Sequence, residues 1–148
     1  MNDTEKALKT LTVLLKSSSS VQDVVKKDMT KYGVNPTEFS VLELLYNKGD
    51  QPIQYIGKKI LLASSSITYV VDKLEKKEFI KRTPSATDRR VTNISISEKG
   101  TAFMQATFPQ HEKLISNLFH VLSEEEKNNL NSIVKKKLGI MRAHLSKK

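Results

Sequence analysis

The side chains best equipped for chemistry in this 148-residue chain are cations gathered in one stretch. Between Gly57 and Arg90 stand nine basic residues, Lys58, Lys59, Lys73, Lys76, Lys77, Lys81, Arg82, Arg89 and Arg90, against the four acids Asp72, Glu75, Glu78 and Asp88. That stretch supplies more than half of the formal net charge of +9. Cations clustered on one surface suit a polyanion, because each phosphate they neutralise releases condensed counterions. A solvated Lys/Glu helix face has the same density, so individual spacings must decide. Asp88-Arg89-Arg90 is the most informative of them. Asp88 and Arg90, two apart, can pair across a turn, and a guanidinium braced in this way fits a narrow minor groove, where negative potential is enhanced. Taken alone, the tripeptide reads equally well as a soluble turn.

Other chemistries are poorly provided for. The absence of cysteine excludes disulfides, thiolate ligands or nucleophiles and thiol redox switching. His111, His120 and His144 lack metal-ligand spacing, and with five glycines in all there is no phosphate-cradling Gly-rich loop. No nucleophile–base pair stands out, so the chain is read as a non-enzyme with no cofactor and no metal. MNDTEKALK lacks the pattern of a signal peptide and no run of 18 apolar residues occurs, which points to a cytoplasmic protein without a membrane partner. One further group has two readings. Glu43 interrupts VLELLY four residues after Phe39, on the same helix face. Either Phe39 and Glu43 line a ligand pocket with His111 as polar partner, or Glu43 is solvated and Phe39 belongs to the core.

These residues must be positioned by a mainly helical chain. Leu8, Leu11 and Leu15, then Val21, Val25, Met29 and Tyr32, recur near helical spacing on either side of Ser17–Ser20, predicting one long or two abutting helices from about Thr4 to Lys31, stopped at Tyr32-Gly33. Asn35-Pro36-Thr37-Glu38 is a capping-box start for a helix ending at Gly49. Gln51-Pro52 is expected to open a shorter helix with Ile53, Ile56 and Ile60 on one face. Ser64-Ser65-Ser66 offers an N-cap for a third, in which Ile67, Val70, Val71 and Leu74 face inward and Ser65, Thr68, Tyr69, Asp72, Lys73 and Lys76 outward.

After Phe79 the period changes to that of strands. Phe79–Thr83, stopped by Pro84, and the alternating Thr92, Ile94 and Ile96 flank the polar SATDRR turn and predict a hairpin with a basic tip. Ser97 can cap a helix carrying Phe103 and Met104, with Pro109 expected to interrupt or kink it, and Leu114, Leu118 and Val121 continuing the pattern. Ser123-Glu124-Glu125-Glu126 is a second capping box, ahead of a stripe of Leu130, Ile133, Val134, Leu138, Met141 and Leu145.

Three short helices followed by a two-stranded hairpin make a winged helix-turn-helix. Its third helix opens with small hydroxyl side chains, and a helix N-terminus attracts anions through its free N–H groups and dipole. A single helix fits the major groove of double-stranded DNA and reads bases mainly with its N-terminal residues. Ser64, Ser65, Ser66, Thr68 and Tyr69 therefore form the expected reading surface, with Lys73 and Lys76 nearer the backbone. The fold expected is mainly α with a small β-hairpin wing. Residues 1–34 and 101–148 are read as dimerisation helices around a DNA-binding domain at 35–100. The terminal stripes have no third layer of chain to cover them.

From Asn35 to Gly100 the chain resembles the MarR family of bacterial transcription regulators, through NPTEFSVLELLYNKGDQPIQYIGKKI, LASSSITYVVDKLEKKEFIKR and DRRVTNISISEKG. Glu78 departs from the family pattern, which has Gly before the strand, and leaves that turn less permissive. The resemblance implies a homodimer whose two winged domains reach successive major grooves of a palindromic operator, about 34 Å apart. It implies Ser65, Ser66, Thr68 and Tyr69 in the major groove, Arg90 braced by Asp88 in the minor groove, and Arg89 and Lys73 on phosphates. Many members respond to small aromatic or phenolic ligands held between the dimer helices and the DNA-binding lobe. Within the family the chain is most similar to the quinone- and hydroquinone-responsive branch. That similarity implies a repressor of detoxification genes, released by a quinone-like or phenolic ligand without thiol chemistry. The alternative is a winged helix that docks a protein and senses no ligand.

Overall fold

Asn2 accepts the Glu5 N–H at 2.8 Å and the Glu5 carboxylate accepts the Asn2 N–H at 2.9 Å, a capping box that starts α1, Asp3–Thr30. The four serines do not break this helix, and Gln22 donates to the Ser18 hydroxyl one turn back at 3.0 Å. The computed structural model describes residues 1–61 and 66–139; Ser64, Ser65, Met141 and Leu145 of the sequence reading lie outside them. Gly33 and Gly49, at φ +83° and +82°, follow α1 and α2 (Pro36–Lys48) in a conformation that a β-carbon disfavours. Both capping-box bonds expected at Asn35 and Glu38 are present, at 2.8 and 3.0 Å.

Gln51-Pro52 departs from expectation. The pair forms a short strand, β1, antiparallel to Ile94 and Asn93 of β3 (Thr92–Ile96), and Pro52 then occupies the N-cap position of α3, Ile53–Lys59, without a side-chain capping bond. Proline tolerates this place because its extended backbone suits an edge strand that needs no N–H from it. The expected hairpin, β2 (Ile80–Pro84) and β3 (Thr92–Ile96), thus becomes a three-stranded sheet in the order β1-β3-β2. Between α3 and β2 comes α4, Ile67–Lys76, whose Val70, Val71 and Leu74 are fully buried and whose Ile67 is half-buried. They meet Phe39, Leu42, Leu45, Ile56, Ile94 and Met104 in the core of the first compact unit, Met1–Glu112.

Ser97 joins the sheet to α5, Glu98–Leu118: its hydroxyl accepts the Gly100 N–H at 3.0 Å and donates to the Glu78 carbonyl at 2.6 Å. Pro109 does not interrupt α5. One N–H is lost there, while buried Met104, Thr107 and His111 on either side keep the helix seated. In the second unit, from Lys113, the Ser123 box starts α6, Glu124–Ser132, which passes into a π-helical stretch, Ile133–Leu138. The stripe expected along one helix therefore changes pitch at Ile133. Among the described residues no helix is long and apolar enough to cross a membrane.

Both units leave apolar side chains in water. On α1, Leu8, Leu11 and Leu15 are each more than half exposed. In the second unit Val121 and Ile133 are too, and Ile115, Phe119, Leu122 and Leu130 line a largely apolar hollow of about 350 Å³.

Glu78, where the family pattern has Gly, sits at φ +64°. A left-handed backbone costs a residue with a β-carbon about 1–2 kcal/mol, against about 0.5–1 kcal/mol of extra chain entropy lost by Gly. Lys99 lies 3.8 Å from the Glu78 carboxylate, but both side chains are largely exposed and the pair adds little. Glu78→Gly is therefore expected to stabilise the fold by about 0.5 kcal/mol, read as a slightly higher melting temperature. A lower one contradicts the assignment of strain.

Candidate nucleic-acid interface

The exposed face of α4 carries Thr68, Tyr69 and Lys76, with Lys73 partly covered. Ser66 stands at the N-cap with φ −58° and ψ 130°, and its hydroxyl makes no capping hydrogen bond. Lys73 Nζ lies 5.6 Å from the centre of the Tyr69 ring, which holds a cation beside an aromatic face one turn below. The acids on this helix are occupied. Arg82 of β2 pairs with Asp72 and places Nε 3.4 Å from Glu75 Oε2, an ion pair rather than a hydrogen bond. This strand-to-helix clamp partly neutralises two negative charges that would otherwise repel phosphate. At the end of α4, Lys77 Nζ donates to the buried Glu38 carboxylate at 2.8 Å, so the capping acid of α2 also anchors α4.

The wing tip is closed by its own backbone: Ser85 N–H donates to the Val91 carbonyl at 2.9 Å and Val91 N–H to that of Asp88 at 3.0 Å. Asp88 Oδ1 accepts the Arg90 N–H at 3.0 Å and Nε at 3.1 Å, and Oδ2 accepts Nη2 at 3.3 Å. These bonds hold the Asp88 carboxyl below its usual range, so the brace is ionised at neutral pH. The Arg90 side chain is nonetheless 91% exposed. Arg89 beside it is exposed as well. The structure thus groups Thr68, Tyr69, Lys73 and Lys76 on one helix and Asp88, Arg89 and Arg90 on one turn.

Phe39, Glu43 and His111 also come together. The Phe39 and His111 rings lie 4.9 Å apart, and both residues are buried. Glu43 is partly buried, and its Oε2 has no hydrogen-bond partner among the described residues. Burial raises the Glu43 pKa, the nearby His111 opposes the rise and Glu112 adds to it. The plainer reading is therefore half right: Phe39 is core, but Glu43 is not freely solvated. Since a folded-state pKa above the unfolded one adds stability at low pH that is lost as pH rises through it, ionised Glu43 weakens the fold near neutrality. Glu43→Gln is expected to melt a few degrees higher than the parent at neutral pH, with the gain vanishing in acid where both are uncharged. Equal melting at both pH values contradicts the burial argument.

Two members of this cluster escape sequence reasoning. His111 Nδ1 lies 2.7 Å from Asp28 Oδ2, and Tyr32 donates to both oxygens of the same carboxylate at 3.2 and 3.3 Å while its ring stacks on Phe39. The one available signal was an acid set among Val25, Met29 and Tyr32 on a helical stripe. Phe103 stacks on Phe79 at 4.8 Å, and Phe108 meets Tyr46 edge-on at 5.9 Å.

An exposed reading helix beside a cationic wing on a three-stranded sheet defines a winged helix-turn-helix DNA-binding regulator. The chain belongs to the MarR family, whose profile matches residues 34–92, and whose members regulate transcription rather than catalyse reactions. It is 58% identical over 123 residues to the HTH-type transcriptional regulator MhqR of Bacillus subtilis (strain 168), covering 83% of this chain and 85% of that one. The uncharacterized HTH-type transcriptional regulator YkoM of the same organism is 37% identical, over 97% and 92% of the two chains. In fold it is similar to Sco3205 of Streptomyces coelicolor, a MarR family transcriptional regulator solved in complex with DNA, with a TM-score of 0.78, 17% identity and coverage of 91% and 86%.

Proposed function

We propose that the protein is a homodimeric repressor of detoxification genes that works in the cytoplasm on a palindromic operator and is released by a quinone-like or phenolic ligand. Ser64, Ser65, Ser66, Thr68 and Tyr69 enter the major groove, Lys73, Lys76 and Arg89 meet phosphates, and Arg90, braced by Asp88, enters the minor groove. The helices of residues 1–34 and 101–148 pair with those of a second copy, and Phe39, Glu43 and His111 line the ligand site. The observation that carries the DNA assignment is Arg90, tied by three hydrogen bonds to Asp88 yet almost wholly in solvent. A side chain with no outside partner gains little from such bracing, whereas a preorganised guanidinium loses less entropy on binding. The exposed leucines of α1 support the dimer, since so much wet apolar surface is uncommon on a monomer.

Titration of duplex DNA at rising salt tests the first part. Affinity is expected to fall by about 10³-fold or more between about 50 and 200 mM salt, the signature of several phosphate contacts. Salt-independent binding, or none, points instead to a protein-docking role. For the ligand, quinones and phenols are titrated into the protein–DNA complex. Release by at least one of the two classes is expected with the parent, and weakened release with Glu43→Gln, Phe39→Leu and His111→Gln. If all three respond like the parent, the pocket lies elsewhere.

A further inference from the structure

Asp28 is a buried carboxylate with two unequal partners. His111 holds Oδ2 at 2.7 Å, whereas the Tyr32 hydroxyl reaches the two oxygens only at 3.2 and 3.3 Å. The Tyr32 ring meanwhile lies 5.8 Å from that of Phe39 at an interplanar angle of 27°. An aromatic ring stacked on Phe39 with its hydroxyl on Asp28 is itself a bound phenol, supplied by the chain. We infer that Tyr32 is an internal placeholder in a site for hydroxylated aromatic compounds, in which Asp28 accepts the ligand's hydroxyl and Phe39 stacks on its ring. This rests on the aromatic-ligand reading above and adds Asp28 and Tyr32 to it.

Three features single out Tyr32 as the member that leaves. Phe39 and His111 are buried in the first unit, while Tyr32 is half-buried between exposed Lys31 and Gly33. It stands beyond the end of α1, in a turn closed by Tyr32 N–H to Met29 and Gly33 N–H to Thr30, each at 3.2 Å. Gly33 at φ +83° has no atom within 4 Å of the position a β-carbon would take. The ring can therefore swing outward without opening the core.

The chemistry selects the ligand's oxidation state. The Asp28 oxygens accept from the Tyr32 hydroxyl, so whatever takes its place on them must also donate. Phenols, catechols and hydroquinones do; a quinone, with acceptor oxygens alone, does not. Burial and the neighbouring Asp28 push the Tyr32 hydroxyl pKa up, which keeps it a neutral donor and the mimicry intact.

Calorimetric titration of the full chain with hydroquinone and with its dimethyl ether, 1,4-dimethoxybenzene, tests this. The two share a ring, and only the first can donate. The parent is expected to bind hydroquinone about tenfold more tightly than the ether, one hydrogen bond to a charged group. Tyr32→Phe, which keeps the ring but removes the competing hydroxyl, is expected to tighten hydroquinone binding about 3- to 10-fold, with its fold checked by melting. Equal affinity for the two compounds overturns the donor requirement. Unchanged or weaker binding in Tyr32→Phe, with Glu43→Gln and Phe39→Leu still weakening it, overturns the placeholder and leaves the pocket standing. No binding to either chain removes both.

Discussion

Replacing Arg90 by alanine is expected to lower duplex affinity by at least about 30-fold in a symmetric complex, where each of two guanidinium contacts contributes about 1–3 kcal/mol. The fold should hardly respond, because the side chain is 91% exposed and its hydrogen bonds, among the described residues, go to Asp88 of its own turn. The loss should come with a shallower salt dependence, since fewer counterions are released. Asp88→Ala separates charge from bracing. It raises the net positive charge of the wing yet frees the guanidinium, so a gain in affinity marks Arg90 as a diffuse cation, and a loss marks it as a positioned one. Undiminished binding in Arg90→Ala rejects the wing as a DNA contact.

Removing the Asp28 carboxylate is the largest expected effect on stability. The side chain and that of His111 are each 6% exposed, so Asp28→Ala leaves a buried imidazole and a tyrosine hydroxyl without their shared acceptor. Leaving these two groups without their acceptor costs about 1–3 kcal/mol each, and for a chain of this size that lowers the melting temperature by about 10 °C. Tyr32→Phe, which deletes only the longer bond, should cost about 1 kcal/mol. A cost for Asp28→Ala no greater than that for Tyr32→Phe shows that the carboxylate is satisfied by water instead, and that the cluster is not closed.

What could be read from the sequence was local. Asn35, Ser97 and Ser123 announce their helices because a cap is decided by residues within one turn, and all three are found capping. Gly33 and Gly49 mark stops for the same reason. The Asp88–Arg90 brace, two residues long, was equally visible. What escaped was set at a distance. Gln51 is a strand only because Ile94 lies opposite, and Asp28 finds His111 across 83 positions. Arg82 was counted among the cations of a binding surface, yet its charge is engaged by Asp72 and Glu75. Pro109 passes through α5 because tertiary burial on both sides outweighs one missing hydrogen bond.

The most direct test of the central claim is the stoichiometry and sequence preference of duplex binding. Duplexes selected from a random pool are titrated against scrambled controls while the mass of the complex is measured in the ultracentrifuge. Inverted-repeat sites with half-sites about one helical turn apart are expected, each holding two copies of the chain, preferred strongly over the controls. A single copy per duplex, or equal affinity for selected and scrambled sequences at moderate salt, contradicts that claim.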